Sequence, residues 1–249
     1  FYVEKDLSGM NSRTAGLLMY FIKFILSAEG QALAANNMFT ALPAAIESYH
    51  TATLAAITMP GGAPTFITET SSATQIWVGA GDYVVSGKRR SYAEVERTAN
   101  AGDISTLQGR RLGGALGSCD VAPLHGSGTT NPSKLFWQSM DIISERTKVP
   151  VKMSYRAVGS STGQKEFLGQ APYAAPLTHF GSGDIPMTNE RYTALVGAGR
   201  TMVHVPFAMG AIAVFHSVPT NMMGGREIDL TGCLLAKIFS RTITHWNDA

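Results

Sequence analysis

Three short stretches rich in glycine, serine and threonine each stand between an extended segment and a helix start. That repetition constrains the fold more than any other feature. The first, Gly126 to Asn131, follows His125 and runs through Pro132 into the apolar-periodic segment Ser133 to Ile143. Asn131 reads as an N-cap and Pro132 as the first helical residue. The second, Gly159 to Gly163, follows the alternating strand pattern Val151 to Tyr155 and leads into a short helix through Phe167. The third, Gly181 to Asp184, ends a short strand near Thr178 to Phe180, and Thr188 then caps a helix from Asn189 to Val196. Strand, loop and helix in alternation predict an α/β fold with a sheet whose ligands sit where strands run into helices.

A small-residue loop delivered onto a helix N-terminus cradles an anion, because free N–H groups and the helix dipole both favour negative charge. Taken singly, each loop is explained equally well by helix capping. Together they offer the hydroxyls of Thr130 and Ser160, main-chain N–H groups around Gly128, Asn131 and Ser161, and one carboxylate, Asp184. An ionised carboxylate can only accept hydrogen bonds. Beside a bound anion, Asp184 therefore favours an oxyanion that carries a proton, such as hydrogen phosphate, over sulfate.

The remaining composition excludes several classes. A net charge of +2 is too small to argue for nucleic acid, and Lys88-Arg89-Arg90 is a short solvated turn. The longest apolar run, Leu17 to Leu26, is interrupted by Lys23 and is too short to cross a bilayer. The two cysteines, Cys119 and Cys233, are compatible with one disulfide or with two buried thiols. No metal-ligand cluster or bound cofactor is indicated, and no nucleophile–base set stands out, so the chain reads as a binding protein rather than an enzyme. It opens at Phe1 without a methionine or a signal-type segment, as a processed product or a piece of a longer chain would.

Before the three loops, Phe1 to Val3 is a short strand. Arg13 to Asn36 is an amphipathic helix broken or kinked at Gly30, and a second helix follows Pro43. Thr65 to Thr70, Gln75 to Val78 and Tyr83 to Val85 read as strands, the last after a Gly81-Asp82 hairpin signal, and Ser91 to Glu94 is a capping box. Beyond Asp184, Met202 to Phe207 and Ala211 to Phe215 read as strands, and Thr231 caps a last helix from Gly232 to Ser240.

These motifs resemble the phosphate-binding proteins of phosphate-specific ABC transporters and their algal relatives. Gly126-Ser-Gly-Thr-Thr-Asn-Pro132 looks like that family's first anion loop, Gly159-Ser-Ser-Thr-Gly163 its second, and Phe180-Gly-Ser-Gly-Asp-Ile-Pro-Met187 its third. Leu235 to Ser240 with Ile243 to Asp248 resembles a downstream helix and turn. The resemblance implies a periplasmic-binding-protein lobe of type II with Thr130, Asn131, Ser160 and Asp184 as phosphate ligands. Asn131 stands where the family usually has Phe, whose main chain does the binding.

The resemblance also runs out of order. Ser12 to Ile46 looks like the family's C-terminal helix and closing Pro segment, yet here it comes first, and most of the second lobe, with its arginine, has no match. Circular permutation, a window across tandem repeats, or exchange of this segment between subunits would each produce that order. The implied organisation is a helical segment over 1–60, a β-rich connecting module over 61–117, and the first anion-binding lobe with the start of a second over 118–249. The implied function is a phosphate-binding domain, secreted or at a cell surface, whose partners are phosphate and neighbouring copies arranged head to tail. The alternative is a structural subunit of an extracellular filament with a vestigial site.

Overall fold

The computed structural model describes residues 1–68, 83–85, 121–147, 149–225 and 227–245. Its central element is a five-stranded mixed sheet. The strands are β1 (Tyr2–Glu4), β4 (Ala122–Gly128), β5 (Val151–Ala157), β6 (Phe180–Ser182) and β7 (Met202–His204), in the order β5-β4-β6-β1-β7. β4 pairs in parallel with both β5 and β6, which places the ends of those three strands side by side. β1 lies between β6 and β7 and is antiparallel to both, with Tyr2 opposite Gly181 and His204. The expected N-terminal strand is therefore interior to the sheet.

The predicted first helix is two helices, α1 (Ser12–Leu26) and α2 (Ala28–Asn36), bent by 65°. The break falls at Ser27 rather than at Gly30. The Ser27 hydroxyl donates to Phe24 O at 2.6 Å and accepts from Gly30 N at 3.2 Å, ending one helix while capping the next. Gly30 permits the bend, because a Cβ there would lie 2.2 Å from Phe24 O. α1 buries Leu17, Leu18, Phe21, Ile22 and Ile25 against β4 and α4 (Ser133–Arg146). α2 adds an Arg146–Glu29 ion pair at 2.8 Å to the same helix. The aromatic centre of this core joins Phe1, Phe21, Phe136, Phe180 and Phe207.

On the opposite face of the sheet, α5 (Ser160–Leu168) and α6 (Asn189–Gly197) cover a smaller cluster of Tyr2, Phe167, Met187, Leu195 and Met202. Arg200 locks this side by donating through Nε to Glu4 at 2.7 Å, with its guanidinium over the Phe167 ring. α3 (Glu47–Ala55) flanks the β7 edge, where Tyr49 donates to His204 O at 3.0 Å.

β2 (Phe66–Thr68) and β3 (Tyr83–Val85) pair in parallel, so they are not the two arms of one hairpin. The Gly81-Asp82 signal, Gln75 to Val78, the Lys88-Arg89-Arg90 cluster, the Ser91 capping box, Cys119 and most of 61–117 lie outside the described residues. The chain divides into two compact units, Phe1–Ala211 and Ile212–Ala249. The second carries α7 (Gly232–Phe239), capped by Thr231 as expected, with Cys233 exposed on it. Ala211 to Phe215, read as a strand, is not in a ladder. β-branched residues supply a preference but no partner strand.

Among the described residues no helix is long and apolar enough to cross a membrane. The bent pair α1–α2 reaches that length only jointly, and α1 is buried in the core.

Candidate anion site

The three loops meet at the ends of β4, β5 and β6. Two glycines make the approach possible. Gly128 adopts φ +148°, and its carbonyl accepts from Val158 N at 2.9 Å and Gly159 N at 2.8 Å, tying the first loop to the second. A Cβ on Gly163 would stand 2.4 Å from Gly128 Cα, so α5 packs its first turn directly on the first loop. Thr129 N donates to Ser182 O at 2.9 Å, tying the first loop to the third. Ser160 Oγ accepts from Asp184 N at 3.1 Å, tying the second to the third.

Thr129 is buried and uses every polar group it has. Besides its N–H, its carbonyl accepts from Tyr155 OH at 2.7 Å and its hydroxyl donates to Asp184 Oδ2. Burial raises the Tyr155 pKa, so the phenol stays a donor throughout the neutral range. Asn131 Nδ2 donates to the other Asp184 oxygen, Oδ1, at 3.0 Å.

Asn131 is therefore not an N-cap. α4 begins behind Pro132 with no side-chain cap, and the Asn131 side chain is instead held by its Nδ2 on the Asp184 carboxylate. Thr130 is exposed next to them, and its carbonyl accepts from Ser133 N at 3.2 Å. No side chain caps α5 either, which leaves its first-turn N–H groups without a side-chain acceptor at the cap.

Of the residues singled out from sequence, Gly128, Asn131, Ser160 and Asp184 stand in one connected network, with Thr130 beside it. Ser161 faces elsewhere: its hydroxyl accepts from Arg191 at 3.0 Å. Arg191, on α6, also donates to the buried Gln164 at 2.5 Å, and so brings a guanidinium to the first turn of α5. Arg191 and Thr129 were both missed by sequence reasoning. The helical position of Arg191 gave no signal, while Thr129 was hidden by its neighbour Thr130, of the same type. Cys233 is exposed in the second unit, and Cys119 lies outside the described residues. Among the described residues no group of three His, Cys, Asp or Glu is placed to hold a metal ion.

A mixed open sheet with an interior antiparallel strand, and loops gathered at the ends of its parallel strands, is the architecture of a periplasmic-binding-protein-like lobe. The profile of the PBP superfamily domain matches residues 96–249, and the chain belongs to that superfamily. It is similar to the phosphate-binding protein PstS 3 of Mycobacterium leprae, with 31% identity over 133 residues, 53% of this chain and 33% of that protein. Against the phosphate-binding protein PstS of Methanocaldococcus jannaschii the identity is 29% over 104 residues, covering 42% and 25%. Against that of Haemophilus influenzae it is 27% over 135 residues, covering 54% and 36%. The chain thus spans about a third of the length of the curated relatives it matches. No solved structure matches it.

Proposed function

We propose that this chain carries one phosphate-binding lobe of a solute-binding protein, in which Thr130, Ser160 and Asp184 contact a protonated tetrahedral oxyanion. Main-chain groups around Gly128, Asn131 and Ser161 complete the cradle. The observation that carries this reading is the junction itself: three loops from three strands converge on one carboxylate and one uncapped helix N-terminus. The relatives, themselves phosphate-binding proteins, supply the anion. Placement outside the cytoplasm, secreted or periplasmic, goes with the same reading.

The segment order fits a lobe that closes on itself. β1, α1 and α2 come first in the chain and pack on the sheet strands and the helix α4 of the anion loops. This supports a permuted order, in which the segment completes its own lobe.

Calorimetry tests the proposal. Phosphate binds at neutral pH while sulfate binds at least about tenfold more weakly, since sulfate leaves Asp184 facing an unprotonated oxygen. Asp184→Asn abolishes the difference by supplying an amide donor. Equal binding of both anions by the unaltered protein would overturn the selectivity.

A second reading, head-to-tail self-association into a filament, is favoured by the second unit. There Phe215, Met222 and Phe239 are exposed, and no described side chain is buried. Sedimentation velocity over a hundredfold range of concentration reads it directly, with a constant monomer excluding it.

A further inference from the structure

We propose that Thr129 and Asn131 are positioning residues that clamp Asp184 from both sides, building the lobe's discrimination between protonated and unprotonated oxyanions before any ligand arrives. The proposal rests on the phosphate-binding reading and adds two side chains to it. Neither side chain is a ligand; both act through Asp184.

Asp184 is exposed, and a free surface aspartate samples several staggered rotamers. Here each carboxylate oxygen receives a donor from the first loop, the Thr129 hydroxyl on Oδ2 and the Asn131 amide on Oδ1. The main chain of Asp184 is held as well, by Ser160 Oγ.

The clamp is only as rigid as its anchor, and Thr129 is anchored on all sides. It is 3% exposed, its N–H is spent on Ser182 and its carbonyl on Tyr155. Asn131 is fixed more loosely, being exposed, but it sits at the turn into α4 directly before Pro132.

A carboxylate oxygen has room for two donors. With one position on each oxygen taken, each keeps one for the ligand. Both clamping groups are donors, and an ionised carboxylate can only accept hydrogen bonds. A ligand oxygen approaching it must bring its own proton. Without the clamp the side chain can turn into water, and the lobe loses the group that rejects sulfate.

In two-lobed binding, closure over the ligand can order such a group; here the order is built into one lobe. Asn131 at this position is also the point where the chain departs from the usual Phe, and its side chain has found a use that Phe cannot serve.

The test pairs two loss variants and one restoring variant with two readouts. Thr129→Val removes the hydroxyl at nearly constant volume, Asn131→Ala removes the exposed amide with little risk to folding, and Thr129→Ser restores a hydroxyl. Calorimetric phosphate-to-sulfate preference falls about tenfold or more in Thr129→Val and Asn131→Ala, and returns in Thr129→Ser. In the ligand-free protein, the Hα–Hβ couplings of Asp184 show one rotamer, and averaged values in the two loss variants.

Unchanged preference and unchanged couplings in Asn131→Ala would overturn the clamp, as would averaged couplings in the unaltered protein. Failure of the unaltered protein to bind either anion would instead overturn the phosphate reading, and the couplings would still decide whether the clamp exists.

Discussion

Gly128→Ala is expected to unfold or gravely destabilise the lobe, by at least about 4 kcal/mol, and to abolish anion binding with it. Two independent costs fall on one residue. At φ +148° an L side chain is strained whatever the space around it. A Cβ there would also lie 1.9 Å from Ser182 O, main chain that cannot swing aside.

That carbonyl already accepts from Thr129 N, so moving it would break the link between the first and third loops. The Gly128 carbonyl meanwhile holds Val158 N and Gly159 N, so shifting the first loop would break its link to the second. Relief in either direction dismantles the site.

Gly159→Ala is the internal comparison. Gly159 has φ +84°, yet a Cβ would meet nothing within 4 Å. Its cost is conformational alone, about 1–3 kcal/mol at its φ and ψ. Urea unfolding of both variants checks the difference. Similar midpoints for the two would show that the loops are not packed as described.

That contrast marks what is legible in the sequence. The three loops could be read because the same glycine and hydroxyl pattern recurs three times between a strand and a helix. The caps at Thr188 and Thr231 were legible for the same local reason, each accepting from the N–H three residues on. Which of Thr129 and Thr130 turns inward was not. The choice is made by β4 pairing with β6, where Gly128 opposite Ser182 leaves position 129 buried and 130 in solvent.

Long-range choices of this kind recur. Ser27 rather than Gly30 breaks the first helix because a capping hydroxyl ends it, while the glycine only makes room for the bend. Asn131 does not cap α4, and its side chain is held by a carboxylate 53 residues away. Arg191 reaches Ser161 only because α5 and α6 lie on the same face of the sheet.

Tyr2–Glu4 carries a strand pattern too short to name its partners. Its position inside the sheet follows from both neighbours, β6 and β7, leaving an antiparallel slot between them.

The position of that strand leads to the second large effect: a polypeptide with a free amine at Phe1 is expected to lose stability as pH falls from about 8 to about 5. The amine is buried and donates to Val205 O at 2.7 Å. Desolvation lowers its pKa from 8.0 to about 5. Between those values the unfolded chain binds the proton and the folded chain does not, so stability rises with pH across the window. It is complete above about 8 and fully lost below about 5, a difference of about 4 kcal/mol at most.

Two histidines act in the same direction. Burial, first of all, lowers the pKa of His179 and of His204. Each also uses a ring nitrogen as an acceptor, His179 Nδ1 from His125 N at 2.9 Å and His204 Nε2 from Met187 N at 3.0 Å. Protonating either ring replaces an acceptor with a donor facing an N–H. Their contribution is present above pH 6.5 and declines as pH falls.

Acetylating Phe1 separates the two sources, because an amide N–H can donate to Val205 O without carrying a charge into the core. Urea unfolding at several pH values between 5 and 8.5 should show a steep dependence for the free amine. For the acetylated chain it should be shallower and confined to the histidine range. Identical profiles would mean that the Phe1 amine is solvated, and that β1 is not seated between β6 and β7.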